Sequence, residues 1–368
     1  MLDVQTDEFT LVLQTKKKPN SIEGWEVMAL DIIEEFVNLS NVELVLGNLK
    51  DATYGLPQSY SHGLMCDDVP FYFAIAYHES FIQMGVCIKF SAHSWMKYRS
   101  EFKSIFGYSI QIHEFLKNIN STDLYSSRIS RIDVAIDFLN ENVNVNTIYK
   151  QLSRGNQIVR NVSGRKNNSG LSAITKNNVT STFYLGSRGK NIKAFLRVYD
   201  KKNEQLETFG TRYAEALKYD NWVRFEAVFK GTYAHDLSTA LESIQNDQEL
   251  LNLLVSALTD RYQFYYTKSN NLTKYSKKML DLLNQKDFKF KSPSPRLNLL
   301  EQSQKHIIST SGLFTYLYKV KELWGYPGLI QCLHFLHDEF LNYEPTDDVL
   351  AWIKKYSVIY HKQGPPFK

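Results

Sequence analysis

The chain has 368 residues, of which 43% are hydrophobic and 22% charged, with a formal net charge of +4. At ~100–200 residues per domain this is two ordinary domains or one elaborated one, and the composition supports a packed core and excludes global disorder. Three scattered cysteines (Cys66, Cys87 and Cys332) exclude a disulfide scaffold and a CxxC metal knuckle and suit a reducing cytoplasm. No run approaches the ~20 apolar residues that span a bilayer, and the acidic N-terminus is unlike a signal peptide, so a cytoplasmic protein with no membrane partner is expected.

In chain order, residues 8–15 read as a strand and 24–39 as an amphipathic helix with Trp25, Met28, Ile32, Ile33 and Phe36 on its apolar side. Residues 42–47, 71–77 and 82–91 are rich in β-formers, the last two spaced like a hairpin. A helical stretch follows from 94 to 117, interrupted near Gly107, then a strongly alternating strand at 127–138. A helix is expected over 145–154. Residues 162–179, rich in Gly, Asn, Ser and Lys, read as a mobile basic loop. Strands are expected at 180–187, 192–200 and 222–231, with a helix at 201–217, and helical periodicity takes over from 233. The expected fold is α+β: an antiparallel sheet with helices on one face over 1–235, then a helical region over 236–368 for DNA specificity or self-association. The SPSP segment at 292–295 is the best linker.

Charge is unevenly placed. Met1–Pro70 holds twelve acids against four bases, whereas no acid at all lies between Glu141 and Asp200, an interval with ten bases. Residues 261–296 add nine bases against Asp281 and Asp287. Two basic blocks interleaved with Tyr, Phe and Asn on a nearly neutral chain point to nucleic acid as the partner.

Three strands share a pattern. Arg131, Asp133, Ala135 and Asp137 alternate with Ile132, Val134, Ile136 and Phe138; Arg197 and Tyr199 with Leu196 and Val198; Arg224 and Glu226 with Val223, Phe225 and Ala227. Because strand side chains alternate between faces, antiparallel pairing sets Asp133, Asp137, Glu226 and Tyr199 on one face, ringed by the three arginines. Clustered carboxylates suit a hard divalent cation, Mg2+ or Mn2+. Tyrosine is a nucleophile able to form a phosphodiester link, and arginine forks match phosphate. The alternative is a set of cross-strand ion pairs on an exposed sheet. Three matching strands flanking the acid-free interval favour the phosphodiester chemistry.

RISRIDVAIDF, TFYLGSRGK, LRVYDKKNE and NWVRFEAVFKG resemble, in order and spacing, the Rep_trans replication initiation factors, over roughly residues 8–232. MGVCIKFSAHSW resembles the family's Gly-rich strand, with SAHS where SGxG is usual. The resemblance implies a rolling-circle initiator that nicks one strand at an origin, leaving a 5′-phosphotyrosyl link and a free 3′-OH. It implies Tyr199 as nucleophile, Arg197 and Arg224 as phosphate holders, and Asp133, Asp137 and Glu226 as ligands of Mg2+ or Mn2+. Arg131, Arg165, Lys166, Arg188, Lys190, Lys201 and Lys202 are then the DNA contacts, and origin DNA, a second copy of the chain and a host helicase the partners. Glu204 has no assigned role. A relaxase of an integrative conjugative element and a non-catalytic DNA-binding regulator remain alternatives.

Tyr265 and Tyr266, in the second basic block, are the competing nucleophiles, and Tyr184 is read as packing or stacking. No HxH triplet and no GxxxxGK[ST] occur; His334 and His337 at i,i+3 sit among Leu333, Phe335 and Leu336 and read as packed helix rather than zinc ligands.

Overall fold

In a computed structural model of the chain, the described residues are 1–17, 21–67, 69–166, 170–189, 192–283, 300–309 and 312–345, with scattered positions beyond. The chain divides into two units, Met1–Ser292 and Pro293–Lys368. The boundary expected at 235 therefore falls inside the first unit. The SPSP segment lies outside the described residues.

In the first unit, β1 (Leu2–Thr15) is followed by α1 (Ile22–Ser40), α2 (Val42–Leu46), β2 (Leu49–Ala52), β3 (His62–Cys66), β4 (Phe73–Tyr77) and β5 (Val86–Phe90). Next come α3 (Ala92–Phe106), α4 (Ile112–Ile119), β6 (Tyr125–Leu139), α5 (Val145–Ser153), β7 (Gln157–Arg160), β8 (Ser172–Lys176), β9 (Val179–Leu185) and β10 (Ala194–Asp200). The unit continues with α6 (Lys201–Glu207), α7 (Tyr213–Ala216), β11 (Trp222–Lys230), α8 (Thr232–Glu242), α9 (Asp247–Thr259), β12 (Gln263–Tyr266) and α10 (Lys274–Leu280). The second unit contains α11 (Leu300–Ser309) and α12 (Leu313–Leu341), the latter broken at Gly325, whose φ of 67 leaves the helix just before Pro327.

Ten strands form one antiparallel sheet in the order β2-β3-β4-β5-β1-β6-β11-β10-β9-β8, and β12 pairs with β7 in a second, two-stranded sheet. The apolar residues of the central strands, such as Phe9, Leu11, Ile132, Val134, Ile136, Phe225 and Val198, join one core with Trp25, Phe36, Trp95, Phe115, Leu237 and Leu254 from α1, α3, α4, α8 and α9. Helices thus cover the apolar face. At one end of the opposite face Leu139 and Trp222 pack with Ala216 and Leu206 of α7 and α6.

Two bulges set which side chains reach that opposite face. Along β1, Thr6 pairs with Val134 and Phe9 with Ile132, so Asp7 and Glu8 together oppose Asp133. The extra residue reverses the alternation: Phe9, Leu11 and Leu13 face the core, yet Asp3, Gln5 and Asp7 join Glu8 on the charged face, while Leu2 and Val4 pack against the core. A second bulge at Ser130 lets Ile129 and Ile132, three residues apart, both enter the core.

Three sequence expectations are corrected. Residues 42–46 are helical, because Asn41 ends α1 in the left-handed region and the chain restarts a turn at once. The helix expected at 201–217 is two short ones, broken where Gln205 Oε1 accepts from the Arg212 amide beside Gly210. Residues 162–179 are not simply a loop: β8 and the start of β9 form a hairpin there.

Candidate active site

Cross-strand register builds the site. Asp137 of β6 lies opposite Arg224 of β11, Arg197 of β10 lies opposite Glu226, and Tyr199 lies opposite Arg224. Arg224 grips Asp137 with two parallel bonds, Nε to Oδ1 and Nη2 to Oδ2, both 2.7 Å, and its Nη1 donates to Asp7 Oδ1 at 2.7 Å. Arg197 Nη2 donates to Glu226 Oε1, and the Tyr199 hydroxyl donates to Glu226 Oε2 at 3.0 Å. Asp137, Arg224 and Glu226 are at most 1% exposed and Tyr199 is 6% exposed. The ion pairs are internal, in contrast to those of an exposed sheet.

A cleft opens over this floor. Its wall includes Gln5 and Asp7 of β1, Arg197 and Tyr199, Lys201 and Glu204 of α6, Arg212, Arg224, and His93 and Arg99 of α3. Lys201 Nζ lies 5.6 Å from the Tyr199 ring centroid and pairs with Glu204 at 2.9 Å; the Arg197 guanidinium lies 4.9 Å from the same ring. Arg197 keeps 37% of its side chain exposed at the cleft, while its Nε is buried without a partner.

The electrostatics follow from burial. Burial raises the Tyr199 hydroxyl well above the usual tyrosine value, and the neighbouring Glu226 carboxylate adds to this, with Arg224 and Arg197 opposing. Burial, then the Asp7 charge, raises Glu226, against Arg197 and Arg224. For Asp7, burial acts upward but is outweighed by Arg224, Lys201 and Arg197, which hold it below the usual aspartate value. Glu226 is therefore the better proton acceptor and Asp7 the more firmly ionised carboxylate.

The expected metal ligands do not assemble into one set. Asp133 and Asp137 are four residues apart on one strand, ~13 Å along its axis. Both oxygens of Asp133 are held by Arg131, at 2.9 and 2.7 Å, as those of Asp137 are by Arg224. Among the described residues no group of three His, Cys, Asp or Glu side chains is arranged to hold an ion. The carboxylates that line the cleft are Asp7 and Glu204. Arg224, expected on phosphate, is instead committed to Asp137 and Asp7.

Of the residues expected on DNA, Lys201 lies in the cleft, while Arg165, Lys166 and Arg188 are exposed, Arg188 stacking on Tyr184 at 4.3 Å. Arg131 is taken up by Asp133 and by Glu8, 2.6 Å away, and Lys202 reaches the Asp220 carbonyl at 3.4 Å. Lys190 lies outside the described residues. Tyr265 and Tyr266 belong to β12: the first donates to Gln263 Oε1 at 2.8 Å and lies under Arg160, and the second is 39% exposed. Among the described residues, neither tyrosine has a carboxylate partner of the kind Glu226 gives Tyr199. Asp7, Arg212 and His93 were not singled out in the sequence; a D-x-Φ spacing broken by a bulge gives no signal for Asp7.

The antiparallel sheet with a buried tyrosine and guanidinium–carboxylate pairs is one whose sequence carries a family signature. Residues 127–311 match the model of the Rep_trans replication initiation factors, and the chain belongs to that family. Its fold is similar to that of a rolling circle replication initiator protein from Geobacillus stearothermophilus, with 16% sequence identity, a TM-score of 0.53, and coverage of 77% of this chain and 97% of that one. No curated protein matches the sequence. The chain is thus a replication initiation factor and, as such, a DNA-binding protein. Among the described residues no helix is long and apolar enough to cross a membrane.

Proposed function

We propose that this protein starts rolling-circle replication by nicking one DNA strand at an origin, with Tyr199 as nucleophile. The observation that carries the reading is the hydrogen bond from Tyr199 to Glu226 on the floor of a cleft walled by Arg197 and Lys201. The Tyr199 oxygen attacks the phosphorus as Glu226 takes its proton; the P–O3′ bond breaks with its electron pair going to the 3′-oxygen, which takes a proton from solvent. The products are a 5′-phosphotyrosyl link and a 3′-OH. The exposed part of the Arg197 guanidinium and Lys201 hold the phosphate oxygens and offset the charge that develops on them. Arg224 holds Asp137 and Asp7 in place, fixing the strand register beneath Tyr199.

No step is assigned to a metal. A divalent cation entering the cleft meets Asp7 and Glu204, rather than the expected Asp133, Asp137 and Glu226. The test is nicking of negatively supercoiled plasmid carrying the cognate origin, with Mg2+ or Mn2+ present. Wild type should give nicked circles with protein on a 5′ end; Tyr199→Phe should bind without nicking. Equal nicking by the variant overturns the assignment. The same chemistry at a transfer origin defines the relaxase alternative, which the same assay separates by the DNA that is cut.

A further inference from the structure

The β8–β9 hairpin stands at the edge of the ten-stranded sheet, inside the acid-free interval. It is fastened on one side: Tyr149 of α5 lies against Phe183, Leu171 and Ala173 pack on the core, and, close to the turn, Asn146 Oδ1 accepts from the Thr180 amide at 3.2 Å. Apart from Thr180, which is buried, the outer half is exposed. Ser172, Ile174, Thr175, Lys176, Val179 and Ser181 are exposed, and Ile174 and Val179, at 53 and 56%, are apolar side chains left in water. The tip is Asn177-Asn178, both with positive φ, 50 and 62, the tight two-residue turn whose twist matches that of its strands. A bulge at Ser181, between the pairs Ile174–Thr182 and Thr175–Thr180, twists the ribbon further.

We propose that this ribbon enters the major groove of the origin duplex and reads its bases; the proposal rests on origin DNA being the substrate, as inferred above. Shape supports it: a five-residue strand is ~17 Å long, and the major groove, about 12 Å wide and ~8.5 Å deep, admits a two-stranded ribbon where the ~6 Å minor groove does not. Charge supports it too. Lys176 beside the turn is an exposed cation for phosphate, and residues 142–199 carry no carboxylate to repel it. The chemistry of the tip also suits bases. Asparagine amides pair with adenine N6 and N7, and the Ile174 and Val179 side chains suit the thymine methyl, so A·T pairs are the expected contacts.

The test is the triple variant Lys176→Ala/Asn177→Gly/Asn178→Gly, which keeps a turn that glycine favours while removing the tip side chains. Binding to origin duplex should weaken about ten-fold or more, with the salt slope lowered by about 1, and replacing the origin thymines by uracil should weaken wild type and this variant but not Ile174→Ser/Val179→Ser. Nicking of a single-stranded oligonucleotide bearing the nick sequence should be unchanged. Unchanged duplex binding overturns the proposal and leaves the ribbon for a protein partner. Equal loss of duplex binding and single-strand nicking also overturns it, since the ribbon then serves the cleft or the fold. If wild type nicks neither substrate while the variant still loses duplex binding, the nicking reading fails and the ribbon assignment stands.

Discussion

Tyr199 and Glu226 are diagonal neighbours on adjacent strands, and the 3.0 Å hydrogen bond between them is made across that diagonal. The residue directly opposite Glu226 is Arg197, and the one opposite Tyr199 is Arg224. One carboxylate thus serves two partners, a proton donor on Oε2 and a guanidinium on Oε1. Diagonal pairs are within reach only of long side chains, and tyrosine is long enough.

Replacing Glu226 by Gln keeps the shape and removes the proton acceptor. Because the Tyr199 hydroxyl is raised well above its usual value, a preformed phenolate is scarce near neutral pH. Single-turnover nicking should fall by ~10²–10⁴-fold with DNA binding intact. Wild-type rate should climb with pH through the raised value of Glu226, and the variant should lack that limb. A variant with wild-type rate and pH profile shows that Glu226 takes no proton.

Arg224→Leu leaves the buried Asp137 with only the longer contacts from Arg212, at 3.4 Å, and Gln5, at 3.3 Å, and takes the guanidinium from Asp7. Removing one partner of such a pair costs about 3–5 kcal/mol, whereas replacing both by apolar residues is often neutral. Urea unfolding should show a large loss for Arg224→Leu and recovery in Arg224→Leu/Asp137→Leu. No recovery in the double variant assigns the loss to the Asp7 pair or to packing of the arginine stem rather than to Asp137.

Asp133 supplies a pH signature. Burial pushes its carboxyl up to about 8, against the Arg131 pair, with Glu226 and Glu8 adding to the rise. Between the unfolded aspartate value of 3.8 and that point, the folded chain holds the extra proton. Raising pH through this window therefore favours unfolding. The unfolding free energy of wild type should fall from pH 5 to pH 8 more steeply than that of Asp133→Asn. Parallel curves would place the Asp133 carboxyl back at its ordinary value.

Metal titration separates two carboxylate sets. If an ion works in this cleft, Asp7→Asn and Glu204→Gln should raise the Mn2+ concentration needed for half-maximal nicking, and Asp133→Asn should leave it unchanged. A shift confined to Asp133→Asn restores the ligand set expected from the sequence.

Alternation alone made the apolar and charged faces of β6, β10 and β11 legible, because those stretches keep strict period two from Asp133 to Phe138, Leu196 to Tyr199 and Val223 to Ala227. The same rule hid Asp7: counted back from Phe9 it falls on the core face, and only the bulge with Glu8 turns it to Arg224. Arg224 was misplaced for a related reason. A strand pattern gives a side chain its face but not its partner, and pairing with Asp137 depends on register. The β8–β9 hairpin was obscured by composition, since Gly, Asn, Ser and Lys signal turns whether or not the flanking residues pair.

The central claim is tested most directly by trapping the protein on a single-stranded suicide oligonucleotide whose cleaved product diffuses away, then locating the attached nucleotide by peptide mass spectrometry. The account predicts the adduct on Tyr199, in the peptide that contains Leu196–Asp200, and none with Tyr199→Phe. An adduct on Tyr265, Tyr266 or any other tyrosine would contradict it.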